Sequence, residues 1–297
     1  MSILVTGNTR YLTREFIQEA FPDMRVIILG ACDLKSSYRQ RLTVLSPDNK
    51  DWALEEIFDT YDIDQVVFFS NFLTLHSQEV GEGESLQQLL TACKTHKIQR
   101  FCYLEGPQAG YQDKQQGTQL AQSYEQLCLF EGHDHGVAVK VIRLPHLYAD
   151  QLLPDYLDRI FSQWATGKPA RFKENRESDF LFLHIYDLAS LLHKVLDDWT
   201  DESELLMVPN SFKLTYQDLA LSMHHLQPKV PISFAKGNLQ QVDASQVTEP
   251  SLRSRYGWFP QLNPLEDWQR ILKESYLGKV NTSIFAWWQD LKTWMGL

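Results

Sequence analysis

Short apolar runs recur through the first half of this chain, and segments with helical spacing fill most of the gaps between them. The runs are Ser2–Thr6, Arg25–Gly30, Arg41–Leu45, Gln65–Ser70, Arg100–Leu104 and Val137–Arg143. Most leave no room for a wetted face, as Gln65-Val66-Val67-Phe68-Phe69 illustrates. Strands buried on both faces belong to a parallel sheet with helices on each side. Between them, Arg10–Phe21 places Leu12, Phe16, Ile17 and Ala20 at helical spacing and stops before Pro22. Trp52–Thr60, Ser85–His96 and Gln119–Glu131 read as further helices. The alternation predicts an α/β fold built on a doubly wound parallel sheet.

From Pro145 onward the texture changes. Helices are predicted over Leu157–Thr166, Tyr186–Trp199, Thr215–His225 and Pro264–Tyr276, with Thr215 as an N-cap. Asp179–Ile185, Leu205–Val208 and Ile232–Ala235 read as short strands. The expected organisation is a sheet domain over 1–144, an interleaved smaller lobe over 145–278, and a tail helix over 279–297.

The segment Ile3-Leu4-Val5-Thr6-Gly7-Asn8-Thr9-Arg10-Tyr11-Leu12-Thr13 reads as strand, turn and a helix starting near Thr9. That is where a Rossmann-like, dinucleotide-binding fold places its phosphate cradle. Gly7 fills the first glycine slot, but Arg10 and Thr13 occupy the second and third. Candidate cofactor-binding residues are Gly7, Thr9 and Arg10 here, with Asp33 past strand two, Asp48 in the turn after strand three, and Ser70 ending strand four. Arg10 either contacts a phosphate or fills the pyrophosphate space, and the loss of the glycine favours filling. Asp33 reaches ribose hydroxyls or is a solvated loop residue.

The formal net charge of -10 argues against a general nucleic-acid or anionic-membrane binder. Cys32, Cys93, Cys102 and Cys128 form no CxxC pair and read as buried thiols of a reducing compartment. No signal peptide or apolar membrane span is visible, so a cytoplasmic protein is the expectation. Glu131-Gly132-His133-Asp134-His135 reads as a solvated turn and His224-His225 as a helix end, so no metal is expected.

Other segments carry a resemblance. Arg100-Phe101-Cys102-Tyr103-Leu104, Val141-Ile142-Arg143-Leu144-Pro145-His146-Leu147-Tyr148, Asp179-Phe180-Leu181-Phe182-Leu183-His184-Ile185-Tyr186-Asp187 and Tyr256-Gly257-Trp258-Phe259-Pro260 stand in one order. With the opening strand and turn, they resemble the extended short-chain dehydrogenase/reductase family, the NAD-dependent nucleotide-sugar epimerases, dehydratases and reductases. The resemblance runs from about residue 2 to about residue 276. It implies an NAD or NADP cofactor, a nucleotide-sugar ligand, a smaller substrate-type lobe, and an Arg143 that supports the fold.

The departures shape the functional expectation. The family uses a Tyr with a Lys four residues later as its proton-transfer pair. Alignment on Glu125 puts Gly117 and Ala121 in those slots, and strand five ends in Glu105-Gly106-Pro107 without a hydroxyl. The remaining catalytic candidates are Tyr111, Lys114, Tyr124 and Glu105. A degenerate, non-catalytic binding or scaffolding module in nucleotide-sugar or cell-surface polysaccharide metabolism is the leading reading. An active enzyme with relocated residues and an NADP(H)-binding sensor are the alternatives.

In the tail, Ile284, Trp287, Trp288, Leu291, Trp294 and Met295 share one helical face. Such a face docks on its own domain, on a homodimer or protein partner, or in a membrane interface. Peripheral membrane association through 284–295 therefore stands beside the cytoplasmic expectation.

Overall fold

The structure is a computed structural model, and it describes residues 1–37, 41–45, 54–70, 82–106, 114–149, 153, 155–179, 181–208, 212, 214–236 and 250–278. The chain divides into two compact units. The first comprises Met1–His146, Ile185–Pro209 and Val247–Phe259, and the second Leu147–His184, Asn210–Gln246 and Pro260–Leu297.

The first unit is built on seven strands: β1 (Ser2–Gly7), β2 (Arg25–Leu29), β3 (Leu42–Leu45), β4 (Gln65–Phe69), β5 (Arg100–Glu105), β6 (Ala138–Arg143) and β10 (Glu204–Met207). They run parallel in the order β10-β6-β5-β4-β1-β2-β3. Its helices are α1 (Arg14–Ala20), α2 (Leu54–Tyr61), α3 (Glu82–Thr95), α4 (Lys114–His135), α6 (Ile185–Asp197) and α8 (Pro250–Tyr256). Alternate strand residues point to opposite faces. Leu4, Ile27, Val66, Phe68, Phe101 and Val139 join one core with Ile57 of α2, Leu86 and Leu90 of α3, and Cys128 of α4. On the other face α1 packs beside α6, and Phe16 meets Phe69 edge-on at 6.1 Å. Covering both faces explains why the strand sequences are almost wholly apolar.

Several boundaries differ from the sequence reading. Thr9–Tyr11 is a 3-10 turn, and α1 begins only at Arg14, because the Thr13 hydroxyl accepts from the Phe16 amide as an N-cap. Helix α4 is longer at both ends than Gln119–Glu131. Lys114 opens it instead of lying in a loop, and Glu131–His135 forms its last turn, where His135 lies 3.5 Å from Glu131. Helix α3 starts at Glu82 instead of Ser85.

The sheet also reclaims a segment read as part of the smaller lobe. Lys140 of β6 is fully buried, and its Nζ lies 2.5 Å from Glu204, with Thr200 Oγ1 and the Glu202 carbonyl each at 2.7 Å. A buried ammonium needs such partners, because leaving it unpaired costs several kcal/mol, on the order of 3–5. Glu204 opens β10, so the ion pair and the β6–β10 ladder form together.

The second unit contains β8 (Ala170–Phe172), β9 (Phe182–His184), β11 (Ile232–Phe234) and, from Leu147 on, β7 (His146–Tyr148), in the pairs β7–β9 and β8–β11. Strands β7 and β8 were not foreseen, being only three residues long. Its helices are α5 (Asp155–Ala165), α7 (Tyr216–Leu226) and α9 (Pro264–Ile271), the last running into a π-helical turn over Leu272–Leu277. Thr215 does cap α7, in a reciprocal capping box with Asp218. Trp268 is fully buried at the centre of this core, stacked on Tyr148 at 5.2 Å with Phe161 and Phe182 at its edges. The tail 279–297, with its tryptophan face, lies outside the described residues.

Candidate functional site

In a doubly wound sheet, ligands bind beyond the carboxyl ends of the strands, where neighbouring strands lead in opposite directions. Here that point is β1, with β2 on one side and β4 on the other. Gly7 leaves β1 with φ of +87°, and a Cβ there would lie 2.0 Å from the Phe69 carbonyl oxygen. Only glycine permits this approach, which lets the Asn8 amide donate to that same oxygen at 2.8 Å. The turn is then stitched to the end of β2. Thr6 donates to the Leu29 carbonyl at 2.8 Å, and Thr9 donates to the Ala31 carbonyl at 3.0 Å. Thr9 is buried, so its hydroxyl serves the fold.

The other cofactor candidates divide by position. Arg10 is exposed on the turn, and Thr13 spends its hydroxyl capping α1. Asp33 is exposed past the end of β2, beside Cys32, whose thiol burial pushes up. Ser70 is fully buried just past β4, its amide donating to the Leu104 carbonyl at 2.9 Å. Register places Gly7 beside Phe69, and Phe69 beside Leu104, so Gly7, Ser70 and Glu105 stand along one edge. Asp48 and Tyr111 lie outside the described residues.

Glu105 ends β5 with no solvent exposure, opposite Arg143 in the β5–β6 register. Arg143 Nε is 3.5 Å from Glu105 Oε2. The same guanidinium donates through Nε and Nη2 to both oxygens of Glu125 on α4, the two-pronged geometry in which arginine binds carboxylate best. Burial pushes the Glu125 carboxyl up, but hydrogen bonds with Arg143 and with Glu105, together with the Arg143 charge, outweigh it and hold Glu125 below its ordinary range. Arg143 is correspondingly held more firmly protonated, first by its hydrogen bonds to Glu125. The partners of Glu105 come from another strand and from a helix, and no local spacing announces them.

The Glu125–Arg143 pair also fixes how α4 faces the sheet. Tyr124, one residue from Glu125, turns toward α3, where its ring would meet a Cβ on Gly83 at 2.9 Å. It packs against the core beneath α3. Lys114 is the first residue of α4. Among the described residues no group of three His, Cys, Asp or Glu side chains is placed to hold a metal. No helix among them is long and apolar enough to cross a membrane.

No family model matches the sequence, and no curated protein matches it. Solved structures do match the fold. UDP-glucuronic acid 4-epimerase from Bacillus cereus, in complex with NAD, superposes with a TM-score of 0.71 at 17% identity, covering 93% of this chain and 100% of that one. UDP-glucose 4-epimerase from Thermotoga maritima gives 0.67 at 14%, covering 94% and 99%. dTDP-glucose 4,6-dehydratase from Bacillus anthracis, in complex with NAD, gives 0.68 at 13%, covering 92% and 96%. The chain thus shares the fold of these solved epimerase and dehydratase structures.

NAD is the cofactor this fold implies. Gly7 suits a close approach by a pyrophosphate, but Arg10 and Thr13 stand where two further glycines belong. At the end of β5 stands Glu105, a buried carboxylate beside Arg143, in place of a hydroxyl.

Proposed function

We propose that this protein is a non-catalytic relative of the nucleotide-sugar epimerases and dehydratases, binding a nucleotide sugar without converting it and serving as a binding or scaffolding module. The observation that carries the reading is the state of Glu105. It stands where the resemblance expects a substrate-binding hydroxyl, and it is buried against an arginine that also grips Glu125. A carboxylate engaged in this way is a poor proton shuttle, since general acid–base work needs a group free to exchange its proton with substrate. Gly117 and Ala121 in the Tyr and Lys slots agree with it. Epimerisation and dehydration of sugars both pass through proton transfer, so losing these groups removes the chemistry while the scaffold persists.

The test combines binding and turnover on the full chain. Calorimetry with UDP-glucose, UDP-glucuronic acid, NAD(H) and NADP(H) is expected to show saturable binding of a nucleotide sugar and none of either dinucleotide at millimolar concentration. Product analysis after long incubation with NAD is expected to return each sugar unchanged. Cofactor-dependent turnover of any of them would sink the reading in favour of an enzyme with relocated residues. Micromolar binding of NADP(H) without turnover would replace the scaffold with a cofactor sensor.

A further inference from the structure

We infer that the smaller unit carries a separate binding site for a small apolar anion, such as an aromatic carboxylate or sulfonate, in the groove between α7 and β11. This goes beyond the proposed function and uses none of the residues at the carboxyl edge of the sheet.

Gln217, Leu221 and His224 fall at positions i, i+4 and i+7 of α7, so they form one stripe. The chain from residue 228 into β11 makes the facing wall, with Phe234 on it. Between them lies a cavity of about 570 Å³, within the range of roughly 300–1,000 Å³ that small-molecule sites occupy. Leu221 is 57% exposed there and continues an apolar lining made with Val230, Ile232 and Phe234. Phe234 is set before anything binds, because its ring stacks on the buried Phe172 at 5.4 Å with an interplanar angle of 16°. A preset wall spares a ligand the cost of ordering it.

The charge of the lining selects the sign of the ligand. Arg176, His224 and Lys229 contribute to it, and among the described residues no carboxylate does. In a chain of net charge -10 that is a local reversal. The Gln217 amide donates to the Arg176 carbonyl at 2.9 Å, which ties the arginine's backbone to the first turn of α7. The Arg176 guanidinium lies 3.3 Å from Glu177, but both side chains are more than half exposed. Such surface pairs are weak, so an anion in the groove can displace that contact. Apolar floor and cationic rim together favour a molecule with a ring or short chain at one end and a negative charge at the other.

The test uses two fluorescent probes on the full chain. 1-Anilinonaphthalene-8-sulfonate carries the charge, and N-phenyl-1-naphthylamine has the same rings without it. The sulfonate is expected to bind at one saturable site, about 10-fold tighter than the neutral probe. The double variant Arg176→Ala/Lys229→Ala should close that gap, and Leu221→Glu should weaken both probes. These side chains are exposed, and circular dichroism with a melting curve checks that each variant is folded. Equal affinity for the two probes, sulfonate binding undiminished in both variants, or no saturable binding would each overturn the inference.

Discussion

Arg143 at the end of β6 holds Glu125 of α4 through two nitrogens while lying 3.5 Å from the buried Glu105 of β5. One guanidinium therefore ties two strands of the sheet to the helix that covers them. Replacing it would leave two carboxylates at a buried site without their cation. Breaking a buried pair by removing one partner costs on the order of 3–5 kcal/mol. Arg143→Met is expected to lose that much in urea denaturation, and Arg143→Met/Glu125→Leu to recover part of it. A double variant no more stable than the single one would show that Glu125 is not the group left stranded.

Gly7 is the second fixed point. Alanine there would adopt a backbone angle of +87° and place its Cβ 2.0 Å from the Phe69 carbonyl oxygen. Strained backbone of this kind costs on the order of 1–3 kcal/mol, before any displacement of β4. Gly7→Ala is expected to lower the midpoint of thermal unfolding by several degrees or abolish soluble expression. An unchanged midpoint would mean that the turn is not closed in this way.

Gln65 offers the opposite sign. It opens β4 with no exposure, and its Nε2 donates only to the Met24 sulfur, at 3.0 Å, while Oε1 has no hydrogen-bond partner among the described residues. An unsatisfied buried acceptor costs roughly 1–3 kcal/mol, so an apolar side chain of similar size removes a penalty. Gln65→Leu is expected to raise stability by about 1 kcal/mol in chemical denaturation. A loss of that size would mean that the amide is satisfied in solution.

His146 gives the protein a dependence on mild acid. Burial pushes its pKa down from 6.5 to about 4. The folded state therefore keeps the ring neutral at pH values where the unfolded chain takes up a proton. Stability is unaffected above the unfolded pKa and falls as pH drops from about 6.5 toward about 4, reaching a loss of about 2 kcal/mol by pH 5. His146→Gln is expected to flatten the stability profile between pH 7 and 5. A profile identical to that of the parent protein would assign the acid sensitivity to other groups.

The sheet was legible because its determinants are local. Gln65–Phe69 and Ala138–Arg143 are apolar enough to be recognised without their neighbours, and Thr215 with Asp218 announces a helix start within four residues. Helix ends were less legible. The reading started α1 near Thr9 because apolar spacing continues through Leu12, whereas the structure ends a separate turn there and lets Thr13 cap the helix.

By itself, then, the sequence determined the α/β class and the glycine at the end of β1. Periodicity and residue identity are properties of neighbouring positions, and they survive without coordinates. Only the tertiary structure decided that Glu105 lies beside Arg143, that Tyr124 faces α3, and that Glu204 draws β10 into the main sheet through Lys140. Each of these joins side chains from separate elements. A buried charge is tolerated only where the completed fold brings its partner within reach, so the chain order alone gives no measure of it.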